Sequence, residues 1–361
     1  MSLFAFSLGR NNTKRNTSKK LQRAGMLVAA FVVMGSLVAP VAFAAPGDFS
    51  WTQVTNPTVA SDSWEAIAMS SDGTRLVATV YNDYIYTSSD SGVNWTQRTS
   101  AGARTWRSVA ISDDGLKMAA VGGGYVYLST DAGASWSETI AEGGNSVEMS
   151  ADGTTILTNS VISTDSGATW IPLAAPCNGY VAMSDNGRTL AISSPNSVCI
   201  SADAGATWTQ HFDTGSGRIA MSADGTKIIA ASRSDYVYLS SDSGTTWTQQ
   251  TAFGTGSWES VAISDDGKTL MVGEDWGPLW LSRDSGSTWV EQTELGEVYW
   301  YAIDIAGDGK KMVAAGGYRH PIYIGTVEGP ATAKIDLSTL PAASKTATEV
   351  AIAKRLSTRY V

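Results

Sequence analysis

The chain has 361 residues, 43% of them hydrophobic and 16% charged, with 36 glycines in no collagen-like period. That suits one repeat-built domain or two ordinary ones. The formal charge of −9 includes six basic residues and no acid before residue 45, so the remaining body stands at −15, which argues against binding to nucleic acid or anionic lipid, since these require a basic face.

The N-terminus reads as a targeting segment, residues 1–44. Basic residues from Arg10 to Arg23 precede an apolar run, Ala24 to Ala44, that ends in the A-x-A pattern Ala42-Phe43-Ala44. Cleavage after Ala44 is expected. The alternative is an uncleaved anchor, because the run is about long enough for a bilayer core of roughly 30 Å. Either way the body is expected to be secreted or held in the cell envelope, with membrane contact only through an uncleaved N-terminus.

The next element, Phe49 to Gln53, matches Thr246-Trp247-Thr248-Gln249, which ends a repeat farther on. It therefore reads as an outermost strand without its own upstream unit. Seven units follow, each opened by apolar-x-apolar-S-x-[DN]-G, with glycines at Gly73, Gly115, Gly153, Gly187, Gly225, Gly267 and Gly309; Ala306 replaces Ser in the last. Spacings of 34 to 42 residues fit one four-stranded blade per repeat. In the second unit, strands are predicted at 108–111, 116–121, 125–129 and 136–139, bounded by Gly- and Asp-rich turns.

The turn before each outermost strand reads S-x-D-x-G-x-x-W. It occurs six times: Ser88-Asp90-Gly92-Trp95, Ser129-Asp131-Gly133-Trp136, Ser163-Asp165-Gly167-Trp170, Ser201-Asp203-Gly205-Trp208, Ser240-Asp242-Gly244-Trp247 and Ser282-Asp284-Gly286-Trp289. Ser and Asp can accept turn N–H groups, Gly supplies a positive φ, and Trp folds back over the turn. These residues are structural. Seven units with six such turns leave the last unit one strand short, and the 49–53 strand supplies it. The expected fold is an all-β, seven-bladed propeller over residues 45–329, closed by its N-terminal strand so that no sheet edge stays open. Residues 330–361 read as an Ala/Ser/Thr-rich tail or linker with room for a short helix at 345–355.

These boxes resemble the bacterial neuraminidase (BNR), or Asp-box, repeat superfamily over roughly residues 47–327. The superfamily includes sialidases, xyloglucan-cleaving glycosidases, sortilin-type receptors and photosystem II assembly-factor propellers. The last typically display a basic patch, whereas this body is acidic. The resemblance implies boxes at one end of the propeller and ligand binding at the other, where the D–A and B–C loops gather. It does not fix the function.

Six positions before the opening motif's Ser or Ala stand Trp64, Trp106, Gly144, Asn178, Ser216, Trp258 and Trp300. The four tryptophans fall in neighbouring blades. They are expected to form an arc on the loop end, joined by Trp276, Tyr318 and Arg319 from the B–C loops. Such an arc suits a carbohydrate or an extracellular protein; simple packing between blades is the alternative. The leading expectation is a non-catalytic binding module with no cofactor and no metal. The alternative is a glycoside hydrolase using two of Glu65, Glu259, Glu274, Asp275 and Asp304. The sialidase F/Y-R-I-P motif is absent, although Arg107, Arg218 and Arg319 are candidates for the loop end. Cys177 and Cys199 can pair in an exported chain or stand as separate buried thiols.

Overall fold

Among the described residues, short β-branched runs between Gly- and Asp-rich turns form twenty-eight strands in seven antiparallel four-stranded sheets. The computed structural model describes residues 49–55, 63–194, 197–212, 217–317 and 320–327. The expected targeting segment and C-terminal tail lie outside the described residues. Among the described residues no helix is long and apolar enough to cross a membrane.

Blades 1 to 6 each run A-B-C-D from the axis outward. Blade 7 takes strands A to C from Trp300–Ile305, Lys311–Gly316 and Ile322–Val327, and strand D from Phe49–Gln53. That last strand pairs antiparallel with Trp51 opposite Gly325. The Trp51 ring covers Gly325 so closely that a Cβ there would sit 2.9 Å from it. The indole N–H of Trp51 also donates to Gln292 Oε1 of blade 6, at 3.1 Å. The first strand thus closes the ring and ties it to the neighbouring blade. One apolar cluster fills each of the seven blade junctions, so each blade's faces are buried by its neighbours.

The repeated turns have the hydrogen bonds that their residues suggest. Ser88 Oγ accepts the Gly92 N–H at 2.9 Å and donates to Asp90 Oδ1 at 2.9 Å. Asp90 accepts the Asn94 N–H at 2.8 Å, and the Trp95 indole donates to the Gly92 carbonyl at 2.9 Å. Trp289 departs from this pattern and donates to Gln250 Oε1 instead. Bonds from Ser135 hold the Asp131 carboxyl down at about 2, and bonds from Thr207 do the same for Asp203.

The A–B turns lie at the same end and are joined by a cyclic set of backbone bonds. The N–H groups of Ser71, Asp113, Ala151, Asp185, Ala223, Asp265 and Gly307 each donate to the carbonyl of the next residue in that order, with Gly307 returning to Ser71, at 2.8–3.3 Å. This ring satisfies inner-strand groups that have no sheet partner.

The second blade differs from expectation in the bounds of three of its strands. Its inner strand begins at Trp106, not 108, and its B and D strands cover Met118–Gly122 and Ser137–Glu142. The early start has a physical cause: the A–B register slips between Trp106 and Ser108, a β-bulge that lets the strand run on toward the loop end.

Candidate functional site

The same bulge occurs in four blades, at Trp64/Ala66, Trp106/Ser108, Trp258/Ser260 and Trp300/Ala302. In each, the Trp is buried: Trp64 is 3% exposed, Trp106 0%, Trp258 1% and Trp300 0%. The indole N–H groups of Trp106, Trp258 and Trp300 donate to the carbonyls of Asp83, Asp235 and Gly277, each in the B–C turn of the preceding blade, at 2.9–3.1 Å. Trp64 meets Tyr86 edge-on at 5.7 Å. The expected platform of four exposed tryptophans is therefore corrected. They are keystones between blades, because large aromatic surfaces beside an apolar junction are driven into it.

The residue after each Trp is the one the bulge re-aims. Glu65, Arg107 and Tyr301 line the loop-end mouth of the central channel with Tyr180 and Arg218, around a cavity of about 110 Å³. Arg107 pairs with the buried Glu65 at 3.2 Å, and Arg233 pairs with the buried Glu259. Burial raises the Glu65 carboxyl above its ordinary value against the pull of Arg107. Arg218 lies over the Tyr180 ring at 4.1 Å, and its Nε donates to the Glu259 carbonyl at 2.8 Å. Both described arginine candidates thus reach the mouth already engaged. Tyr318 and Arg319 lie outside the described residues.

Below the mouth the channel continues as a cavity of about 220 Å³. Its waist is lined two residues before each motif Ser or Ala by Ala68, Ala110, Glu148, Ala182, Ala220, Ala262 and Asp304. Small side chains suit the crowded axis, and two carboxyl groups interrupt them. Glu148 lines the channel half-buried among protein groups. Loss of bulk hydration, then repulsion from Asp304, raises it to about 8. Burial likewise raises Asp304 to about 7, although its Oδ2 accepts the Met69 N–H at 2.7 Å. Asp304 therefore straps blade 7 to blade 1. Among the described residues no cluster of His, Cys, Asp or Glu has the arrangement of a metal site.

On the rim beside the mouth, Trp276 is 58% exposed. It sits in the blade 6 B–C turn with a left-handed φ of 51°, which a bulky residue resists. The turn is held on both sides: Asp275 N–H donates to the Ser257 carbonyl at 2.7 Å, and Val298 N–H donates to the Gly277 carbonyl at 3.1 Å. Tyr299 and His320 stand 6.3 and 6.2 Å from the Trp276 ring, and Tyr301 continues the cluster 5.0 Å from Tyr299. Glu274 is pinned below by the Ser257 N–H, with its carboxylate where a Cβ on Gly277 would clash. Tyr299 and Tyr301 were not among the expected site residues. Tyr301 carried a usable signal, since it directly follows a keystone Trp.

A structure titled "YCF48 from Cyanidioschyzon merolae" aligns at 18% identity and a TM-score of 0.59, over 78% of this chain and 99% of that one. Another, "YCF48 bound to D1 peptide", aligns at 17% and 0.61, over 79% and 98%. The GH74 enzyme of Niastella koreensis aligns at 15% and 0.62, over 76% of this chain and 53% of that longer one. The likeness is one of fold. No family model matches the sequence, and no curated protein does either.

Proposed function

We propose that this chain is a non-catalytic binding propeller, exported from the cytoplasm, whose loop face holds a segment of another protein. The carrying observation is the exposed Trp276 at the rim, on a turn hydrogen-bonded on both sides and continued by Tyr299, Tyr301 and His320 toward the mouth. Aromatic surface held in place before binding loses little freedom on contact. The peptide complex among the YCF48 structures supports the same use of this architecture. The S-x-D-x-G-x-x-W turns support a place among the Asp-box propellers. The disulfide between Cys177 and Cys199, with the N-terminal apolar run, supports export.

Glycoside hydrolysis is the second reading, favoured by burial-raised Glu65 beside Glu259 at the mouth. Against it, both carboxylates are paired with arginines, which occupies the oxygens that would have to act on a substrate. The deciding experiment presents the full chain to a peptide library, a glycan array and glycan substrates in parallel. Peptide capture without release of reducing sugar is expected. Glycan capture alone would replace the protein ligand with a carbohydrate, and sugar release would overturn the non-catalytic assignment.

A further inference from the structure

The ligand chemistry of the rim is set by what surrounds its aromatic cluster. The indole of Trp276 presents a wide apolar face to solvent, with the Tyr299 and His320 rings beside it. Glu274 precedes it by two residues and is fixed under the turn. Asp275 is adjacent, and its Oδ1 is buried without a hydrogen-bond partner. Glu297 is exposed on the facing D–A loop, and its charge is felt at Glu274 together with that of Asp275. The cation that bears on Asp275, Arg233, is already paired with Glu259.

We infer that Trp276, with the carboxylates of Glu274, Asp275 and Glu297 around it, forms a subsite for a lysine or arginine side chain of the bound protein segment. This rests on the proposed protein-binding role and names its chemistry. A cation over an indole face is attracted by the ring's quadrupole, and neighbouring carboxylates add to that attraction. An anionic side chain in the same place would meet three negative groups. A neutral sugar could stack on the indole but would draw nothing from the carboxylates. The acidic balance of the body extends the same complementarity beyond the subsite.

The test titrates the full chain with hexaarginine and hexaglutamate peptides at low and high salt. Variants are Trp276→Ala, Trp276→Phe and the double change Glu274→Gln with Glu297→Gln. Hexaarginine is expected to bind and hexaglutamate not to. Trp276→Ala should weaken hexaarginine by about tenfold, Trp276→Phe by less, and the Gln pair should remove much of the salt dependence. Equal hexaarginine binding by Trp276→Ala would mean diffuse attraction to an acidic surface and would overturn the subsite. Neutral library peptides are measured beside these. If Trp276→Ala loses them while hexaarginine is indifferent to it, the docking face stands and the cation subsite falls. If no peptide of either kind responds to Trp276→Ala, both fall.

Discussion

The inner strands of blades 1, 2, 6 and 7 run six residues, and those of blades 3, 4 and 5 run three. The long strands carry a keystone Trp and a bulge, and they reach the loop end. The short strands are anchored differently. At Gly144 of blade 3, the Asn159 amide fills the space where a side chain would go and accepts the Asn145 N–H at 2.9 Å. Asn159 then donates to Asn178 Oδ1 of blade 4 at 2.6 Å. Beside Asn178, Cys177 is tied to Cys199 on the third strand of the same blade. One half of the ring is thus pinned by buried aromatic surface, and the other by polar bonds and a covalent link. A repeated fold tolerates both because each blade needs only a firm junction with its neighbours. The bulged half alone gains re-aimed side chains at the mouth, and the candidate site lies there.

The contrast is most directly broken at a keystone. Trp300→Ala should cost about 3–5 kcal/mol, as truncation of a fully buried Trp does. Thermal and denaturant melts check it, and a loss near zero would remove the keystone role. On the other side of the ring, replacing Cys177 and Cys199 with Ser and Ala should cost about 3 kcal/mol, the usual effect of closing a loop of this length. Hydrogen exchange should then rise around the blade 3–4 connection and leave blades 6 and 7 unchanged.

A smaller effect comes from the waist. Glu148 and Asp304 hold protons in the folded chain up to about 8 and about 7, above the ordinary carboxyl range. The unfolded chain releases them earlier, so it binds fewer protons across that window and stability falls as pH rises through it. Glu148→Gln should raise stability at pH near 8 by on the order of 2 kcal/mol and change little at pH near 4. A gain that is the same at both pH values would contradict the sign. Asp304→Asn adds the loss of the strap to Met69 and is the less clean probe. The smallest effect is at the rim. Trp276→Asn should leave stability unchanged or raise it by about 0.5 kcal/mol, since Asn accepts a left-handed turn more readily.

Blade number, turn chemistry and the closing strand were legible because each rests on a repeated residue pattern. The place of the 49–53 strand in blade 7 followed from seven units against six turns and from its match to Thr246–Gln249, whereas its register, Trp51 opposite Gly325, did not. The depth of Trp64, Trp106, Trp258 and Trp300 was not legible. Sequence position gave their place around the ring, whereas the bulge that buries them is a mismatch between two strands and appears in neither alone. The cyclic bonds among the A–B turns use backbone groups only and leave no residue signature. Trp276 was legible as a loop aromatic, but its exposure depends on clamps at Ser257 and Val298, far from it along the local turn pattern.

The central claim is a division of labour, with buried tryptophans holding the ring and Trp276 on the rim holding the ligand. Its most direct test is peptide-library binding by the full chain and its Trp276→Ala variant, with melting temperature measured on the same samples. Loss of captured peptides at an unchanged melting temperature is the predicted result. Undiminished capture by a fully folded Trp276→Ala variant would contradict it.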